Sequence, residues 1–133
     1  YRLRQDPSRH NALGQIKFMF PNPKSIYIHD TPGKSLFSRQ QRTFSSGCVR
    51  IETPFTLAFE LLNDQGWNQD RLKTVTGREK PVSVVLKEPI PVHLVYFTAW
   101  VDEDQTVNFR KDIYGHDARL FQALHHPEPA HRL

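Results

Sequence analysis

The chain's single cysteine, Cys48, lies in the segment Phe44-Ser45-Ser46-Gly47-Cys48-Val49-Arg50, nineteen positions after His29. A thiolate is a strong nucleophile, and an imidazole takes up a proton near neutral pH. Ser45, Ser46 and Gly47 let the backbone turn sharply and let a substrate come close. The amides of Gly47 and Cys48 can then converge on one concavity, as an oxyanion hole requires. A lone cysteine is by default a small buried hydrophobe. That default belongs with apolar neighbours, whereas Cys48 follows Ser-Ser-Gly. The residues by themselves point to acyl chemistry, with Cys48 as nucleophile and His29 as its base.

These two residues must be positioned by the elements around them. Gln15 to Phe20 alternates Ile16, Phe18 and Phe20 with polar positions and reads as a strand, closed by the turn Pro21-Asn22-Pro23. Ser25 to His29 reads as a second strand, with Ile26 and Ile28 on one face and Tyr27 and His29 on the other. Two roles stand open for Tyr27: a hydroxyl that orients substrate or base, or an aromatic in the cleft wall. Asp30-Thr31-Pro32-Gly33 breaks that strand, and Lys34 to Phe44 reads as a loop with one helical turn. Cys48 to Ile51 opens a short strand or a helix. Thr53-Pro54 then starts a helix whose Phe55, Ala58, Phe59 and Leu62 recur at helical spacing and belong to a core. Asn63 to Gly66 ends it, and Asn68 to Thr74 reads as a second short helix. Val82 to Leu86 and Val92 to Trp100 read as strands. Thr106 to Arg110 pairs back across Asp102-Glu103-Asp104, and Asp117 to Leu124 forms a terminal helix. The pattern is mainly β with a few helices, an α+β chain.

The stretch Ile26-Tyr27-Ile28-His29-Asp30, fourteen residues, then Ser45-Ser46-Gly47-Cys48-Val49-Arg50 resembles the signature of the L,D-transpeptidases. These are cell-wall enzymes with a YkuD-type catalytic domain. The family pattern is a His and a small residue, a spacer of that length, Ser/Thr-His-Gly-Cys, an apolar residue, and Asn or Arg. The similarity is strongest to the large periplasmic branch that makes 3→3 peptidoglycan cross-links. It also runs through Asn11-Ala12-Leu13-Gly14, Lys17-Phe18-Met19-Phe20-Pro21-Asn22 and His29-Asp30-Thr31-Pro32, and weakly through Asp112-Ile113-Tyr114-Gly115. There are departures. Ser46 stands where the family has a second His, which leaves His29 as the motif's one imidazole. Asp30 replaces the small residue after the His, so the identity of a third triad member stays open.

The resemblance implies a YkuD-like β-sandwich catalytic domain in an envelope protein of a Gram-negative periplasm. Residues 1–124 would be the C-terminal part of that domain and 125–133 a flexible tail. The chain begins at Tyr1 without Met and continues with the polar run Arg2 to Asn11, so strands from an upstream part of the same protein are expected to complete the fold. By the same resemblance, Cys48 and His29 are catalytic, and the Gly47, Cys48 and Ser46 amides hold the oxyanion. Tyr27, Ser45 and Arg50 contact substrate. The partners are peptidoglycan stem peptides as donor and acceptor, with carbapenem β-lactams as covalent inhibitors. Two other readings of the residues stand beside transfer: a hydrolytic L,D-carboxypeptidase-type cysteine peptidase, and an inactive peptidoglycan-binding module.

Composition narrows the remaining classes. At 133 residues and 38% hydrophobic content, the chain suits one domain with a lean core. A net charge of +4 and a pI of about 9.4 favour anionic partners. The basic residues are scattered, however, and no nucleic-acid-binding motif appears, so a stem carboxylate suits Arg42 or Arg50 better than nucleic acid does. Seven histidines raise the question of a metal. His125, His126 and His131 lack the spacing of a zinc site, His93 reads as a structural imidazole in a strand, and His10 and His116 have no partner pattern. Asp102, Glu103 and Asp104 read as a solvated turn rather than a calcium loop. Neither metal nor cofactor is called for. One cysteine cannot form an intrachain disulfide, and no stretch is apolar enough to span a membrane.

Overall fold

The computed structural model describes residues 5–8 and 10–125. The chain divides into two compact units, the first ending at Val92 and the second beginning at His93. It is an α+β chain with few helices and two small sheets, as its sequence pattern indicates.

The first unit carries a three-stranded sheet in the order β1-β2-β3, formed by Lys17–Phe18, Ile28–His29 and Val49–Arg50. β1 and β2 run antiparallel, with Lys17 opposite His29 and Phe18 opposite Ile28. Asn22 builds their connection with its own amide. Its Nδ2 donates to the carbonyls of Phe20 (3.0 Å) and Ile26 (2.6 Å), and its Oδ1 accepts from the amides of Lys24 (3.1 Å) and Ile26 (2.9 Å). An Asn side chain that satisfies both sides of a turn is a local alternative to a ladder. β2 and β3 run parallel, with Ile28 beside Val49 and His29 beside Arg50. Their connection holds the 3₁₀ helix Lys34–Ser38, the one helical turn expected in that loop.

Two helices follow. α1 spans Pro54–Leu62, with Thr53 as N-cap and Pro54 in its first turn, although the Thr53 side chain makes no capping bond. Gly66, at φ 78°, lets the chain leave the 3₁₀ turn Asn63–Gln65 in a left-handed conformation. α2 spans Gln69–Thr76, and the Asn68 side chain caps it by accepting from the Arg71 amide at 2.8 Å. Ala58, Leu62 and Leu72 form the buried core. Ile16, Phe18, Phe55, Phe59, Leu61, Trp67 and Leu86 pack around it, so the edge strand β1 and both helices share one apolar layer. Phe55 and Phe59 are core residues, as their helical spacing implies.

The expected strands over 82–86 and 92–98 do not form; only Ala99–Val101 of that stretch pairs, as β4. A strand exists only where a neighbour completes its ladder, and no described strand pairs with residues 82–86 or 92–98. The Gln65 side chain supplies a fragment of one. Its Nε2 donates to the Val85 carbonyl (3.1 Å) and its Oε1 accepts from the Lys87 amide (2.9 Å). His93 is accordingly exposed and outside any strand, and not the structural imidazole in a strand expected of it.

The second unit is a hairpin and a helix. β4 pairs antiparallel with β5, Val107–Phe109, with Trp100 opposite Asn108. The acidic turn between them is structural, since the Asp102 carboxylate accepts from Trp100 Nε1 (3.0 Å) and Asn108 Nδ2 (2.7 Å). α3 spans His116–His125. Asp112 organises its start by accepting from the amides of Tyr114 (3.3 Å) and Asp117 (2.8 Å), and those donors hold its carboxyl below the usual range. His125 closes that helix, stacked on Phe121, while the rest of the expected tail, with His126 and His131, lies outside the described residues.

Removing buried methylenes from a core this small costs both transfer energy and a cavity. Leu72→Ala is expected to lower unfolding free energy by about 2–4 kcal/mol, read as a lower urea midpoint at unchanged slope.

Candidate active site

His29 ends the central strand β2 and is 4% exposed. Its ring Nδ1 contacts the backbone carbonyl of Asp30. A carbonyl only accepts, so Nδ1 carries the proton and Nε2 keeps a lone pair. The Asp30 carboxylate is engaged elsewhere. Its Oδ2 accepts from the Gln15 amide (2.9 Å), and its Oδ1 accepts from the Thr31 amide (2.7 Å) and from Lys34 Nζ (2.8 Å). Burial pushes this carboxyl up, but the bonds from Lys34, Gln15 and Thr31 outweigh it and hold it below the usual range. In the structure, the partner of the His29 ring is the Asp30 carbonyl and not its carboxylate.

Cys48 directly precedes β3, half-buried. The Ser45 hydroxyl donates to the Cys48 carbonyl at 2.6 Å and accepts weakly from the Gly47 amide at 3.4 Å, which pins the motif loop. Gly47 has φ 152°, a conformation side chains rarely adopt, while space around it is ordinary, with Ile26 3.7 Å from an added Cβ. Backbone conformation and not crowding therefore calls for glycine there. Of the amides expected to hold an oxyanion, that of Gly47 is turned to Ser45. Those of Ser46 and Cys48 take no hydrogen-bond partner among the described residues.

Tyr27 stands between the two candidate catalytic groups. Its ring packs edge-on against His29 with centroids 5.8 Å apart, as strand alternation requires, and Lys17 Nζ lies 4.8 Å over its face. Burial raises the phenol above its ordinary value, and the nearby Cys48 raises it further. The structure therefore packs Tyr27 against His29, while no hydrogen bond among the described residues joins His29 to Cys48. Arg50 is the parallel neighbour of His29, and its Nε is buried without a partner among the described residues. Ser46 is exposed, and Arg42 spends its Nε on the Arg39 carbonyl at 2.8 Å.

Two contributors carry no chemical signal in the sequence. Lys34 reaches past Asp30 to the carbonyls of Ile51 (3.3 Å) and Glu52 (2.5 Å), and so ties the ends of β2 and β3 together. Its i,i+4 spacing from Asp30 is the one clue available beforehand. Gly14, at φ 62°, lets the Gln15 amide approach, and a Cβ there would fall 2.3 Å from the Asp30 carboxyl.

The profile of the YkuD family, the L,D-transpeptidase catalytic domain, matches residues 1–107. The chain belongs to the YkuD family. It is also 43% identical over 120 residues to a Haemophilus influenzae protein that bears the provisional name of L,D-transpeptidase. That similarity covers 90% of this chain and 24% of the relative, so the chain spans about a quarter of that protein's length. His29 ends β2, and Cys48 directly precedes β3, the parallel neighbour of β2 in the sheet.

Because the folded Asp30 carboxyl lies below its ordinary value, it favours the native state above that value. This contribution is lost as pH falls through the lower, folded value. The melting temperature is expected to drop more steeply across the acid carboxylate range in the parent chain than in Asp30→Asn. Parallel thermal melts over that range check it.

Proposed function

We propose that this YkuD domain forms 3→3 peptidoglycan cross-links through a Cys48 thioester, in the periplasm of a Gram-negative cell. The observation that carries this reading is the His29 ring, held at Nδ1 by the Asp30 carbonyl with Nε2 left as a base, in a sheet whose next strand begins beside Cys48. His29 takes the thiol proton, and the thiolate attacks the carbonyl of the diamino acid at position three of a tetrapeptide stem. Backbone amides of the Ser46–Cys48 loop face the oxyanion, with the Gly47 amide released from its long bond to Ser45. As the amide bond to the terminal D-alanine breaks, His29 returns the proton to the leaving amine. The side-chain amine of a second stem then attacks the thioester, gives its proton to His29, and releases Cys48. Tyr27, packed edge-on against His29, orients substrate or base. Arg50 takes a stem carboxylate, which supplies the partner its buried Nε lacks. A carbapenem offers a carbonyl to the same thiol and acylates it.

The apolar segments over 82–86 and 92–98 pair, in this reading, with strands from an upstream part of the same protein. Support comes from their unpartnered state and from the relative's greater length.

Mass spectrometry after carbapenem exposure tests the central step, and an adduct on Cys48 marks a live nucleophile. Product analysis with an acceptor stem then separates transfer from hydrolysis, and absence of both leaves a wall-binding module. Cys48→Ser is expected to abolish labelling and turnover, because a hydroxyl is far less ionised than a thiol. His29→Ala should lose roughly 10²–10⁴-fold in acylation rate. Ser46→Ala should keep substantial activity, and equal loss there would defeat the single-base reading.

Arg50→Ala is expected to raise the donor's KM about tenfold or more, the value of a charge-assisted bond, with little change in Tm. Arg39→Ala, in the solvated spacer, should change neither. Equal small effects at both positions in steady-state kinetics would remove Arg50 from the site.

A further inference from the structure

We propose that the Asp30 carboxylate and the Lys34 ammonium are positioning residues for His29, fixing the Asp30 peptide so that its carbonyl holds the Nδ1 proton and Nε2 stays free. This rests on the reading of His29 as the base. Sequence position alone suggests another role for Asp30, a carboxylate beside the imidazole. The geometry assigns the imidazole to the carbonyl of the same residue.

A backbone carbonyl holds a ring only as firmly as its own peptide is held. The Asp30 peptide is fixed from several directions. Its amide donates to the Ile16 carbonyl at 2.9 Å, on the side of β1. Its side chain is 8% exposed, and the carboxylate accepts two backbone amides and one ammonium. Each of those donors comes from a different place: Gln15 ahead of β1, Thr31 in the strand break, and Lys34 at the start of the 3₁₀ helix. Gly14 carries no Cβ where one would overlap the carboxyl, so the Gly14-Gln15 turn closes directly onto it.

Lys34 extends this clasp to the other half of the site. Its remaining donors go to the carbonyls of Ile51 and Glu52, which immediately follow Arg50 on β3. The Ile51 amide in turn donates to the His29 carbonyl at 3.0 Å. One ammonium therefore ties the residue that orients the base to the strand that begins after the nucleophile. The Lys34 side chain itself is 44% exposed, so its replacement leaves the buried core untouched.

The test uses the full-length protein, labelled with ¹⁵N-histidine, and compares the parent with Lys34→Met, Lys34→Arg and Gly14→Ala. In the parent, His29 should show the Nδ1–H tautomer. Lys34→Met and Gly14→Ala should mix in the Nε2–H form and slow carbapenem acylation of Cys48 by roughly ten- to a hundredfold. Lys34→Arg should restore both readouts. A purely structural role would lower Tm and leave the tautomer unchanged. An unaltered Nδ1–H signal in folded Lys34→Met overturns the proposal, whatever the acylation rate. Should the parent itself resist acylation, the functional reading fails, and the tautomer comparison still decides the role of Lys34 and Asp30.

Discussion

A carboxylate withdrawn from water must be matched by donors, and Asp30 gathers three of them from separate parts of the chain. That requirement organises the first unit. It draws the Gly14-Gln15 turn onto the end of β2, shapes the strand break at Thr31, and anchors the 3₁₀ helix through Lys34. The backbone left behind by this side chain is then rigid enough for its carbonyl to set the proton on His29. Sheet and site thus share one polar hub, with His29, Asp30 and Thr31 buried in succession.

The apolar layer contributes differently. Among the described residues only Ala58, Leu62 and Leu72 are buried hydrophobics, yet Phe18 and Ile16 pack on them from the β1 side. The helices after the motif therefore brace the edge strand that pairs with His29. The strands themselves are short, and β2 gains its stability from neighbours on both sides. The motif loop is held otherwise, by the Ser45 hydroxyl and by the one glycine conformation that permits its turn. That loop is exposed around a half-buried thiol.

Several features were legible before any coordinates. Helical spacing from Phe55 to Leu62, the Thr53-Pro54 opening and the Asn68 cap are local chemistry, written in adjacent residues, and the helices form where that chemistry lies. Strand alternation correctly put Tyr27 and His29 on one face. The apolar runs at 82–86 and 92–98 carry the same alternation without forming strands, because a ladder needs a neighbour that composition cannot supply. His93 follows the same logic and is exposed for want of that neighbour.

The sequence by itself determined the family and named the candidate nucleophile and imidazole, since these reside in residue types at a set spacing along the chain. Tertiary structure decided which atoms of those residues meet. The Asp30 carbonyl rather than its carboxylate faces His29, the Gly47 amide turns to Ser45, and Lys17 lies over the Tyr27 ring. Lys34 and Gly14 enter the site only through contacts among distant segments. Hydrogen bonds are directional and short, so a spacing in sequence names the candidates, and only the folded backbone selects the donor and acceptor for each.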